Sequence, residues 1–144
     1  MSKFLFGEQE LDSAVEALLN RSQECNGEVL YIGPVIRPVF SRILERLENN
    51  AGELRVRFVL PALTGRDFHG SSFLYNFQIL AEKARVESDA RDTLLISRDC
   101  VLFINDKAIR EGAISAIEVK NKAAVAQMNY YFEKIWDNAA KVLL

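Results

Sequence analysis

Hydrophobic residues recur along this chain in two periods, and the switches between the periods divide it into elements. Glu28-Val29-Leu30-Tyr31-Ile32 is a mostly apolar run between glycines, the composition of a strand buried on both faces. Leu54 to Leu60 alternates for four residues and then turns apolar, so a second strand is expected there, ended by Pro61. Between the two, Val39, Phe40, Ile43, Leu44 and Leu47 recur at helical spacing and predict a helix over about 35–49. Upstream, Ser13 followed by Glu16 reads as a capping box. The helix it predicts runs over about 13–24, buries Val15, Leu18 and Leu19, and stops at Asn26-Gly27. Residues 62–72 read as an extended loop, and 72–84 as a helix carrying Phe73, Phe77, Leu80 and Ala84 on one side. Val86-Glu87 opens a further strand.

The second half changes character. Leu94-Leu95-Ile96 and Val101-Leu102-Phe103-Ile104 are two short apolar strands folded back through Ser97-Arg98-Asp99-Cys100, a hairpin. Ala113 to Val119 is one more candidate strand. Asn121 then caps a long closing helix whose Val125, Met128, Phe132, Ile135, Ala139 and Val142 define its inner face. Alternating helices and strands at the front imply parallel neighbours joined by right-handed crossovers, and the hairpin adds antiparallel pairing at the back. The expected fold class is therefore α/β: a mixed, mainly parallel sheet flanked by helices on both faces, in a single domain over 1–144.

Composition narrows the functional classes. With 49% hydrophobic and 26% charged residues, the chain has the balance of a globular protein. No run approaches the ~20 apolar residues that span a bilayer, and Met1 to Glu10 lacks the pattern of a secretory leader, so no membrane and a cytoplasmic location are expected. The 18 basic residues are interleaved with 20 acidic ones for a net charge of -2, which predicts no direct nucleic-acid contact. Cys25 and Cys100 lack metal-ligand spacing and read as buried packing. The single histidine, His69, reads as a surface-loop residue, since no cysteine or second histidine stands ready as a ligand or partner. No metal and no cofactor are expected. Asp89, Asp92, Asp99 and Asp106 read as turn formers and solvated loop charges.

Three features together resemble a repeat of the phospholipase D-like superfamily, in the non-catalytic version found in archaeal and bacterial transcriptional regulators. These are the strand ending in Ile32-Gly33-Pro34 with a helix directly after it, the hairpin Leu94 to Ile104, and the closing Tyr131 to Ala139 with its aromatic-x-x-x-Trp-x-x-Ala pattern. Catalytic members are implied to carry His-x-Lys-x-x-x-x-Asp where the hairpin begins, with imidazole as nucleophile on phosphorus. Laid on this chain, those slots fall on Arg91, Thr93 and Arg98, or one residue on, at Asp92, Leu94 and Asp99. Neither register supplies the nucleophile, because guanidinium stays protonated and has no lone pair to offer. The resemblance therefore implies a protein that is not an enzyme.

What remains is recognition. Arg37 follows Gly33-Pro34 in the first turn of a helix, where free amides and the helix dipole favour an anion or a hydroxyl, although an exposed helix-start arginine is the plainer reading. Arg91, Thr93 and Arg98 are expected to line the same degenerate cleft. Tyr130, Tyr131 and Trp136 do not all fit the inner stripe of the closing helix, which makes Tyr131 and Trp136 candidates for an interface. Superfamily members usually pair two repeats, so the resemblance also implies a homodimer. The expected function is a regulatory or sensor module that dimerises and binds a small polar or anionic ligand. The alternatives are an interaction or assembly module with no small ligand, and a phosphodiesterase with displaced catalytic groups.

Overall fold

The computed structural model describes residues 2–34, 37–49, 54–61, 83–88, 92–105 and 113–141, with backbone alone at 37, 38 and 49. In chain order these form β1 (Ser2–Phe6), α1 (Gly7–Glu24), β2 (Glu28–Ile32), α2 (Arg37–Asn49), β3 (Arg55–Leu60), β4 (Ala84–Val86), β5 (Leu94–Ile96), β6 (Val101–Asn105), β7 (Ser115–Val119), α3 (Lys122–Asn138) and β8 (Ala140–Lys141). The strands make one sheet in the order β1-β7-β6-β5-β2-β3-β4-β8. The front half is parallel as expected, with β2 beside β3 and β3 beside β4. The other pairings are antiparallel. The sheet is thus mixed, but antiparallel ladders outnumber parallel ones among the described residues. The β5–β6 hairpin docks against β2 rather than extending the parallel set, and a tight turn joins only antiparallel strands.

Period-two alternation assigns each side chain to a face. Val29 and Tyr31 of β2, Val56, Phe58 and Leu60 of β3, Leu95 of β5 and Leu102 of β6 meet α1 and α2 in one core. Leu30, Ile32, Val59, Leu94, Ile96 and Val101 point the other way and meet Val125 and Phe132 of α3. Each face of the central strands is therefore closed by helices, which is why β2 reads as continuously apolar. The closing helix does as its sequence predicts at its start, where the Asn121 side chain accepts from the amides of Ala123 and Ala124. Two ends differ from expectation: the closing helix stops at Asn138, with Ala139 leading into β8 instead of extending the inner face, and α1 starts early. Helix α1 begins at Gly7, not near Ser13, because β1 runs straight into it and Leu11 extends the inner stripe by a turn. Its first turn is tied by the Phe6 amide donating to the Glu10 carboxylate at 2.7 Å. Residues 62–82, including His69 and most of the helix expected over 72–84, lie outside the described residues, while Ala84, expected on that helix, opens β4 beside β3. No helix among the described residues is long and apolar enough to cross a membrane.

Polar ties supplement the apolar contacts. Arg42 of α2 donates to both oxygens of Asp12 on α1 at 2.6 Å, and Arg46 reaches Glu16 at 2.5 Å. On the opposite face Arg57 donates to both Glu28 oxygens, at 2.9 and 2.8 Å, and to both oxygens of Glu133 on α3. The same guanidinium lies 5.2 Å from the Phe132 ring and 5.1 Å from that of Trp136. Arg57 holds the Glu133 carboxyl below its ordinary range, so this tie contributes stability above the unfolded value near 4.3 and loses it on acidification. Because Glu133 is half exposed, apolar burial should dominate. In urea denaturation at pH 7, Phe132→Ala is expected to cost about 3–5 kcal/mol. Arg57→Ala is expected to cost about 1–2 kcal/mol, shrinking below pH 4. An Arg57→Ala loss equal to that of Phe132→Ala would show that charge, not packing, holds α3.

Candidate functional site at the ends of β2 and β5

The corner where β2 ends and β5 begins is built around one close approach. Gly33 has φ +142°, a conformation that disfavours residues with a β-carbon. A β-carbon there would stand 3.0 Å from both Cγ2 and Oγ1 of Thr93. The Gly33 amide donates to Val59 at 3.0 Å, and the Tyr31 hydroxyl donates to the Pro34 carbonyl at 2.6 Å, so the turn into α2 is fixed from two sides. Thr93 is buried, and its carbonyl accepts from the Ile104 amide at 2.9 Å. Beside it Asp92 is exposed and accepts from the Tyr131 hydroxyl at 2.9 Å. Asn105 closes β6 opposite Ser115, which opens β7. Asp92, Thr93, Asn105 and Ser115, together with Phe4, Phe6, Phe103 and Ile117, line an open depression of about 830 Å³.

The two expected ligand residues whose side chains are described, Thr93 and Arg98, do not gather in one place. Thr93 lies in the depression. Arg37 is the first residue of α2 and so starts at the same end of the sheet, while its side chain and all of Arg91 lie outside the described residues. Arg98 sits exposed in the turn at the far end of β5, where it lines a separate depression with Glu28, Lys122 and Asn129. Thr93 and Arg98 are five positions apart along mostly extended chain, on the order of 15 Å, so one cleft does not hold both. Tyr131 and Trp136 are partly buried against the α3 core. Trp136 stacks on Phe132, its ring lies 4.1 Å from the Arg85 guanidinium, and its carbonyl accepts from that arginine at 2.7 Å. Tyr130, 64% exposed, is the member of that aromatic set that faces outward. Cys100 is buried, and burial with the nearby Glu118 pushes its thiol up to about 11, whereas Cys25 is exposed rather than packed.

Sequence reasoning missed Asp92, Asn105, Ser115 and the Phe4–Phe6 pair. The parity of Phe4, Leu5 and Phe6, with only Leu5 buried, carried that information for β1. Chemically the corner offers a carboxylate, an amide, two hydroxyls and a phenol, a set for donating and accepting hydrogen bonds. Among the described residues no group of three or more His, Cys, Asp or Glu is placed to hold a metal ion.

No protein-family model and no curated protein matches the chain. Solved structures do. Nuc of Salmonella typhimurium, a phospholipase D family member, superposes with a TM-score of 0.65 over 100% of both chains at 11% identity. NucT from Helicobacter pylori does so with a TM-score of 0.63 over 99% of each at 10% identity. The chain has the phospholipase D-like fold. TrmBL2, an archaeal chromatin protein that shows a novel mode of DNA binding, matches 98% of this chain with a TM-score of 0.66 at 17% identity. The chain spans 54% of that protein.

The TrmBL2 match overturns one expectation. A net charge near zero predicts no direct nucleic-acid contact, yet a DNA-binding chromatin protein contains this phospholipase D-like fold. The physical flaw is that net charge averages over the whole surface, while a phosphate backbone responds to local potential. Here Arg98 and Lys122 line one depression although the chain total is negative. In the phospholipase D-like corner itself, burial and the bond to Asp92 raise the Tyr131 phenol above its ordinary 10.0. A raised acid favours the folded state below pH 10 and loses that contribution above it. Difference titration of the protein against Tyr131→Phe should show the missing phenol ionising above pH 10. With Asp92→Asn it should move down but stay raised, because burial is the larger cause. An ordinary value in the unaltered protein would contradict this packing.

Proposed function

We propose that the chain is a non-catalytic phospholipase D-like module that regulates or senses, pairs with a second copy and takes a small polar ligand at the Gly33–Thr93 corner. One observation carries the reading: the lysine slot implied by the superfamily motif is occupied by Thr93, whose buried side chain packs onto Gly33. Threonine brings no positive charge to steady a phosphoryl oxygen. Arg91, at the histidine slot, brings no lone pair. Asp92, which the shifted register places there, is an exposed carboxylate bonded to Tyr131, an arrangement suited to orienting a bound group rather than attacking phosphorus. The depression beside Thr93 is large enough for a small molecule and is lined at one end by groups that donate and accept.

A regulatory role also accords with the DNA-binding chromatin protein that contains this fold, and duplex DNA therefore joins small ligands as a partner of the module. Pairing with a second copy follows the two-repeat arrangement of the superfamily.

The test combines four measurements on the full chain. A chromogenic phosphodiester should show no turnover above buffer. Light scattering should report a dimer. A thermal-shift screen with sugars, nucleosides, nucleotides, phosphate and duplex DNA should find a stabilising ligand, and Thr93→Arg, which fills the corner, should abolish that shift for a small ligand. Turnover that disappears in His69→Ala, or a monomer stabilised by nothing in the screen, would contradict the reading.

A further inference from the structure

Phe4 and Phe6 are the feature that the corner chemistry leaves unused. They lie two residues apart on β1 and project from the face of the sheet that α3 leaves open, 63% and 67% exposed. Their rings are stacked, with centroids 6.0 Å apart and planes 15° from parallel. Two large apolar rings held in water beside each other form a ready surface for a flat partner. They line the same depression as Asp92, Thr93, Asn105 and Ser115. Ser115 pairs directly with Phe6 and Asn105 with Ser115, so aromatic and polar groups adjoin in this depression.

The charge of the lining selects among flat partners. Asp92 contributes a carboxylate, and no Lys, Arg or His stands among the described lining residues. A phosphate would meet the Asp92 carboxylate with no cation among the described lining residues to offset it. A neutral ring meets no such repulsion. The carboxylate accepts from an amino group or a sugar hydroxyl, and the Asn105 amide and Ser115 hydroxyl both donate and accept, so together they match the mixed edge of a nucleobase. A sugar can lay a C–H face on these rings but has no π face to stack, so a base gains more there.

We infer that this depression binds a nucleoside, with its base stacked on the Phe4–Phe6 pair and its polar edge toward Asp92, Asn105 and Ser115. The inference rests on the ligand-binding reading above and names the chemical class of that ligand.

Isothermal titration of the full chain with adenosine, cytidine, their 5′-monophosphates, glucose and inorganic phosphate tests it. A nucleoside should bind more tightly than its monophosphate. Asp92→Asn should narrow that difference. Phe6→Ala should weaken nucleoside binding roughly tenfold, the scale of a lost base–aromatic stack, with no change in melting temperature because the ring is largely exposed. Phe4→Ala serves as the second variant. No nucleoside binding, binding unchanged from the unaltered protein in both phenylalanine variants, or tighter binding of the monophosphate would overturn the inference. If glucose or phosphate binds, Thr93→Arg abolishes it and Phe6→Ala does not, the ligand class is wrong while the ligand-binding reading stands. If nothing binds here or in the wider screen, both fall. If Phe6→Ala instead changes the mass seen by light scattering and no nucleoside binds, the aromatic face belongs to a second copy and the inference is overturned.

Discussion

Gly33 and Thr93 touch, and much of the molecule is arranged by that contact. Thr93 leads into β5 and Gly33 ends β2, so their approach sets where the hairpin docks on the parallel strands. It also sets where α2 begins, because the chain must turn at Gly33 with a backbone that only glycine adopts without strain. The consequence for function is local. A corner whose centre is filled by packed threonine and glycine has its polar groups around it rather than at it. That geometry suits holding a ligand against a rim of donors and acceptors.

The rest of the fold packs around the strands that form this corner. Central strands with apolar residues on both faces need helices on both, and α1, α2 and α3 supply them. Arg57 then joins two roles on the α3 side, tying strand to helix through carboxylates while lying against Phe132 and Trp136. Toward β1 and β7 the same face is left open, and there the exposed aromatics lie. The division between a closed core and an open aromatic wing is thus a division along one sheet.

Local pattern made much of this legible. β2, β3, the β5–β6 hairpin, α2 and α3 were readable because each carries its own period and its own stop, as with Asn26, whose φ of +54° supplies the turn before β2. Edge strands were not. β1 is five residues with one buried side chain, and β8 is two residues, so neither has enough periodicity to stand out. The candidate cleft failed for a related reason. Spacing places Thr93 and Arg98 five residues apart, but it does not say that an extended strand between them sends them to opposite ends of the sheet. Asp92 looked like a solvated loop charge because its partner Tyr131 is remote in sequence.

The Gly33–Thr93 contact is tested most directly by a double-mutant cycle on stability. Gly33→Ala alone should cost about 1–3 kcal/mol from strain and the close approach. In a Thr93→Ala background, where Cγ2 and Oγ1 are gone, it should cost about 1 kcal/mol less. Costs that add to within about 0.5 kcal/mol would show that the two residues do not constrain each other, and would contradict the account of the corner built on them.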